Sequence, residues 1–390
     1  MLQSWRWFGP EDPIPLAHVR QAGATGVVTA LHHIYDGRAW TDDDVAARKA
    51  LIEAAGLTWA VCESIPVPTA IKLRTGPWRR YLDQWKDSLA ALGRAGVPVV
   101  CYNFMPVVDW TRTNLAHAMP STGLALRFDL PDFVGYDVFV LRRPHAADDY
   151  PAALVEEGRR RIEAMDAGAV ETLERNVICG LPGGEDSYTR ETIAARIAEF
   201  GGVGDAVMRA NLIDFLKEVV PVAEEHGVRL AIHPDDPPFS LFGLPRIVST
   251  AADARTILDA VDVPANGLTL CAGSYGSRPD NDLVAMAEAF GPRIHFVHLR
   301  NVARDADGSF TESDHLDGDV DMVALIGALL AEEARRRAEG RPDAEIPMRP
   351  DHGHLLGTDG ERRSNPGYSY IGRLKGLAEL RGVMHCLGHG

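Results

Sequence analysis

Residues Met208–His233 read MRANLIDFLKEVVPVAEEHGVRLAIH, and this stretch decides the fold. Apolar residues recur at helical spacing over Met208–His226, and a short β-rich apolar run, Val228–His233, follows at once. A helix feeding directly into such a run is the repeating unit of a parallel sheet with helices on its faces.

The same alternation extends in both directions. Strand runs are predicted at Gly26–Leu31, Leu57–Glu63, Val97–Phe104 and Asn176–Gly180 in the first half, and at Val228–His233, Gly267–Ala272, Ile294–Arg300 and Glu345–Asp351 in the second. Helix patterns lie between them at Asp43–Ala55, Tyr81–Ala95, Leu154–Glu174, Glu191–Phe200, Met208–His226, Ala251–Ala260, Leu283–Phe290 and Met322–Glu339. Eight strands spaced by helices predict an α/β fold, a closed (β/α)₈ TIM barrel, and 390 residues suit a single barrel domain, 1–390. Residues 105–151 are rich in Pro, Asp and aromatics without periodicity, so they are read as an insertion after the third strand that roofs the site. A doubly wound sheet is disfavoured, because no G-x-G-x-x-G turn follows the first strand; Gly23 and Gly26 fall before it or at its start.

A hydrophobic fraction of 46% against 24% charged residues allows a substantial core. The net charge of −15 argues against nucleic acid and anionic membrane as partners. The runs Arg159–Arg161 and Arg335–Arg337 lie in helical stretches and read as solvated faces. The start MLQSWRWFGPEDP lacks a basic-then-apolar signal region, and no apolar run reaches the ~18 residues of a membrane span, so a cytoplasmic protein is expected. Five widely spaced cysteines are then reduced thiols; Cys62, Cys101, Cys179 and Cys386 read as small core residues. A homodimer is expected from the size and class of the chain.

In a β/α barrel the reacting groups gather at the carboxyl ends of the strands. Four consecutive strands, the fifth to the eighth, end in residues that bind transition metals: His233, Cys271, His298 and Asp351. A lone strand-end His or Cys is usually a packed core residue, but thiolate, two imidazoles and a carboxylate on adjacent strands converge on one point. Parity selects His298 over His295, since His298 shares its face with Ile294 and Phe296. This donor mixture suits Mn²⁺, Fe²⁺, Co²⁺ or Zn²⁺, and Mn²⁺ or Fe²⁺ most readily leaves room for substrate oxygens. Around it, Asp235 and Asp236 read as loop solvation or as support for the metal ligands. His315, His352 and His354 are candidates for proton transfer. Arg300, Asn301 and Arg349 are candidates for binding an anionic substrate, as is His315.

With those residues in place, the chain resembles the metal-dependent mannonate dehydratases of the xylose-isomerase-like barrel group, which open hexuronate breakdown. The resemblance is carried by SWRWFGPEDP and VRQAGATGVVTALHHI near the start, CYNFMPVVDWTRT, RANLIDFLKEVVPVAEEHGVRLAIHPDDPP, HFVHLRNV, HLDGDVDM, MRPDHGH, and NPGYSYIGRLKGLAELRGV near the end. It implies one manganese or iron ion held by His233, Cys271, His298 and Asp351. It also implies acid/base residues at His352 and Tyr368, with Tyr370 two residues on as the alternative counterpart. The activity implied is conversion of D-mannonate to 2-keto-3-deoxy-D-gluconate. The alternatives on the same scaffold are a metal-dependent sugar isomerase or epimerase, which the thiol at Cys271 disfavours, and a nicotinamide-dependent mannonate oxidoreductase, which the missing dinucleotide fingerprint disfavours.

Overall fold

A computed structural model describes residues 1–35, 37–178 and 188–388. Eight parallel strands close into a barrel: β1 (Leu2–Arg6), β2 (Gly26–Thr29), β3 (Thr58–Glu63), β4 (Val99–Tyr102), β7 (Arg229–Ile232), β8 (Asn266–Cys271), β9 (Ile294–His298) and β12 (Pro347–Arg349). Each strand pairs with the next in sequence around the ring, and β12 returns to β1 with Leu2 opposite Pro347.

The elements depart from expectation in the first half of the chain. The first barrel strand is Leu2–Arg6, and the run at Asn176 is not a strand: Asn176–Ile178 end the helix Ala167–Ile178, while 179 and 180 lie outside the described residues. The segment expected as one helix over Leu154–Glu174 is two, Ala152–Ala164 and Ala167–Ile178. The barrel is therefore as expected, but the insertion at 105–151 follows the fourth strand instead of the third.

That insertion is not irregular throughout. It carries the antiparallel strands β5 (Asn114–Ala118) and β6 (Leu124–Phe128), which join β10 (Val302–Arg304) and β11 (Phe310–Glu312) from the loop after β9 in one four-stranded sheet. β6 and β11 pair with Phe310 opposite Phe128 and Thr311 opposite Arg127. The rings of Phe128 and Phe310 stack at 5.7 Å, so two segments far apart in sequence are fastened beside the barrel mouth.

Inside the barrel, Val28, Ala60, Val61, Val99, Cys101, Ala231 and Phe296 form their own buried cluster, and the larger core fills the space between strands and helices. Helices start where the sequence caps them: Thr41 and Thr250 each accept from a backbone N–H three residues on, and the aspartate at that position bonds back. At the end of the barrel remote from the strand carboxyl termini, Arg336 contradicts the expectation of a solvated arginine run. It is buried and donates to the carbonyls of Gly291 (2.6 Å) and Ile294 (2.8 Å), to the Glu332 carboxylate (2.8 Å) and to the carbonyl of Asp343 (3.1 Å). Arg336→Ala leaves three backbone carbonyls and the buried Glu332 carboxylate without this partner, so unfolding free energy is expected to fall by about 3–5 kcal/mol. Denaturant titration checks this, and kcat per folded chain should not change, because the residue lies far from the site. Cys386, expected in the core, is exposed; Cys62 and Cys101 are buried as expected, and Cys179 lies outside the described residues.

Candidate active site

The carboxyl ends of the strands enclose a cavity of about 740 Å³, mouth included. His233, just past the end of β7, and Asp351, just past β12, line it; Cys271 and His298, the last residues of β8 and β9, lie fully buried beside them. One nitrogen each of His233 and His298 and the sulfur of Cys271 fall within 4.8 Å of one another. The Asp351 Oδ2 is 3.8 Å from both Cys271 Sγ and His298 Nδ1. Backbone shape helps: Asp351 adopts φ 66°, a left-handed conformation Asp tolerates better than most residues, and both Asp351 and the following His352 line the cavity.

The donor chemistry fits a divalent cation. His233 Nδ1 lies 2.7 Å from the carbonyl of Pro234, which only an Nδ1–H satisfies, so Nε2 is the bare nitrogen. That Nε2 sits 3.2 Å from His298 Nδ1, while the other His298 nitrogen faces the Glu63 carboxylate at 3.5 Å. With the His298 proton on the Glu63 side, two lone pairs point at one another. A cation between them removes the repulsion, and two nitrogens each ~2.1 Å from one ion stand about 3 Å apart. Burial pushes both imidazoles toward the neutral form a metal ligand needs. Burial also raises the Cys271 thiol to about 12, against the pull of Arg300, so a thiolate here requires a cation.

Asp351 is ionised. Burial opposes its charge, but Arg349, His352, His298 and Arg300 outweigh burial and hold it well below the usual carboxylate range. Arg300 donates to Asp351 Oδ2 (2.9 Å) and to Asp236 Oδ2 (2.7 Å). Arg349 bridges Asp351 Oδ1 and Glu63 Oε1. The Arg300 side chain passes over Gly273 so closely that a Cβ there would collide with its Nε, which explains glycine after Ala272.

His352 and Tyr368 both line the cavity, with their rings 4.9 Å apart edge to face. Tyr370, the alternative tyrosine, turns away and donates to the carbonyl of His18. Burial raises the Tyr368 hydroxyl to about 12, partly offset by Arg349, so it stays protonated at neutral pH.

Two of the expected substrate contacts do not reach the cavity lining. Asn301 is buried with its amide donating to the carbonyls of His315 and Val320 and its carbonyl accepting from the N–H groups of Val302 and Val320. His315 bonds the carbonyl of Pro350 at 2.8 Å. Both side chains are consumed in shaping the loop after β9. His354 bonds the Glu312 carbonyl and is likewise outside the lining. His295 bonds the carbonyl of Pro264, on the other side of β9 from His298, as parity required.

Several important residues were not singled out in the sequence. Glu63 at the end of β3 accepts from Arg349 and pairs with Arg6; Arg112, in the insertion, donates to Asp236 (2.7 Å) and Glu312 (2.8 Å). Of the two aspartates after His233, Asp235 is spent on Val248 N–H and Ser249, whereas Asp236 faces the cavity. The end of β3 carried a usable signal, since Glu63 closes a run already read as a strand; nothing local marked Arg112 or Glu312.

The closed barrel, with a cluster of His and Cys donors at its carboxyl end that could hold a metal ion, has the xylose-isomerase type of fold. A xylose isomerase domain protein from Planctomyces limnophilus superposes over 100% of this chain and 99% of its own, TM-score 0.52 at 9% identity, a likeness of fold alone. Residues 1–389 match the D-mannonate dehydratase family, and the chain belongs to that family. It is 62% identical over 387 residues to mannonate dehydratase 2 of Agrobacterium fabrum, covering 99% of this chain and 97% of that protein. The crystal structure of mannonate dehydratase from Streptococcus suis is similar with TM-score 0.78 and 33% identity, over 100% of this chain and 94% of that one.

Proposed function

We propose that this chain is a hydro-lyase that removes water from D-mannonate to give 2-dehydro-3-deoxy-D-gluconate, using one divalent ion, Mn²⁺ or Fe²⁺. One observation carries the reading: a donor cluster built for a transition metal and two proton-transfer side chains, His352 and Tyr368, meet at one cavity. His233, Cys271, His298 and Asp351 are its ligands. The ion supplies electrostatic stabilisation of the negative charge that builds on the carboxylate end of the substrate when its neighbouring carbon loses a proton.

The chain's own residues do the rest. Arg300 and Arg349 line the cavity and favour a substrate carboxylate on the side of Asp351. His352 and Tyr368 exchange protons with the substrate: one takes the C2 proton, the other protonates the C3 hydroxyl as its bond to carbon breaks, and the resulting enol becomes the keto acid. The insertion at 105–151 works as a roof that keeps water from the site, a reading supported by Trp110, which lines the cavity with its ring 6.0 Å from that of His352. Among the described residues no helix is long and apolar enough to cross a membrane. We place the enzyme in the cytoplasm, as a homodimer acting in glucuronate catabolism.

Stripping the protein of metal under anaerobic conditions is expected to abolish formation of keto acid from D-mannonate, and Mn²⁺ or Fe²⁺ should restore it. Metal-loaded protein that forms no keto acid would overturn the substrate assignment.

A further inference from the structure

Glu312 is the last residue of β11, opposite Val302 of β10, and its carboxylate is buried behind His352, which lines the cavity. Its two oxygens lie 2.8 Å and 3.0 Å from His352 Nδ1. A buried carboxylate costs several kcal/mol to desolvate unless it is matched. Here it is matched by Arg112, which donates to it at 2.8 Å and 3.2 Å, with Arg300 at 3.7 Å. Burial opposes the charge, but His352, Arg300 and Arg112 hold the carboxyl down to about 2, so the group is an acceptor only.

We propose that Glu312 is a positioning residue for proton transfer: it holds the Nδ1–H of His352, fixes the ring, and leaves Nε2 as the atom that exchanges the proton with substrate. The inference rests on the dehydratase reading for its substrate, but not for its geometry. A competing contact exists. Arg300 Nη1 lies 3.4 Å from the same Nδ1 and would donate only to a bare nitrogen. That nitrogen of Arg300 is already engaged by Asp351 at 2.9 Å, whereas the carboxylate contact is shorter and needs the proton on Nδ1. Removing the carboxylate leaves Arg300 to favour the opposite tautomer, with its proton on Nε2.

The proton balance is simple. A proton taken from substrate lands on Nε2, making an imidazolium whose charge Glu312 neutralises; a proton given to substrate leaves from Nε2, and Nδ1–H never dissociates. The arrangement also explains why the small sheet stands at this site, since β11 holds the carboxylate and β6 holds β11.

The test has a part that needs no substrate. Nitrogen-15 NMR of histidine-labelled protein, with the His352 signal identified by its loss in His352→Ala, is expected to show the Nδ1–H tautomer. The Nε2–H tautomer would overturn the proposal whatever the enzyme acts on. In turnover, Glu312→Gln is expected to lower kcat about 100-fold with KM held within about threefold, because a side chain that orients the reacting group acts on the chemical step. Glu312→Asp should regain part of the loss, and in a His352→Ala background Glu312→Gln should cost nothing more. A kcat within about twofold of wild type, or an equal further loss in the His352→Ala background, would sink it. Should Glu312→Gln not fold, Glu312→Asp carries the comparison: it keeps a charge for Arg112 but withdraws from Nδ1, and wild-type kcat there would refute the role. A wild-type protein inactive on D-mannonate strikes the substrate assignment instead and leaves the tautomer measurement standing.

Discussion

Cys271→Ser is expected to weaken divalent-ion binding by more than about 100-fold, since changes merely behind a ligand already cost 10–100-fold. Turnover should fall on the order of 10³-fold, the equivalent of the several kcal/mol that a cation contributes at a developing negative charge. The reason lies in the thiol's surroundings. Sγ is fully buried, 3.8 Å from Asp351 Oδ2 and 3.2 Å from the Ser274 hydroxyl, and burial drives its ordinary titration up to about 12. A serine hydroxyl of similar shape fits the space but is far harder to ionise, so the position changes from thiolate ligand to neutral oxygen. Metal content by mass spectrometry and kcat on the same preparation check it. Full metal occupancy with wild-type turnover would remove Cys271 from the ligand set.

His352→Ala is the second large effect. The ring lies in the cavity wall against Tyr368 and Trp110, and its loss should lower kcat by about 10²–10⁴-fold, the usual worth of a positioned acid or base. Because neither Nδ1 nor Nε2 belongs to the donor cluster, bound metal should stay near one per chain and KM should move only a few fold. Steady-state kinetics with metal analysis separates the two. Retained kcat would pass proton transfer to Tyr368 and solvent, whereas loss of metal together with kcat would make His352 a structural support for Asp351.

The barrel could be read in advance because its strands are buried on both faces and bounded by helices, a pattern that survives in single runs such as VRLAIH and GLTLCA. The two errors have a common cause. Leu2–Arg6, LQSWR, carries Gln, Ser and Arg because it forms a barrel wall beside polar groups, so it lacks the apolar signature; Asn176–Ile178, an apolar end of an amphipathic helix, has that signature over too few residues to reveal the period. That His233, Cys271, His298 and Asp351 lie together was legible for a geometric reason: strand ends in a closed barrel are neighbours by construction. Loop residues have no such rule. Asn301 was placed at the cavity by nearness in sequence to His298 and His315 by the chemistry of its imidazole, but their hydrogen bonds hold the loop instead. Glu312 and Arg112, separated by 200 residues, acquire their meaning only when two hairpins meet.

That meeting gives the enzyme a mechanical gauge. In a strand of three residues such as β11, sliding by one position against β6 would turn the Glu312 side chain to the opposite face, away from His352. The spacing of a hairpin near residue 120, outside the cavity lining, thus sets the contact between Glu312 and His352. Shortening or lengthening that hairpin would adjust the catalyst as a screw adjusts a lens, without altering any residue of the catalytic set.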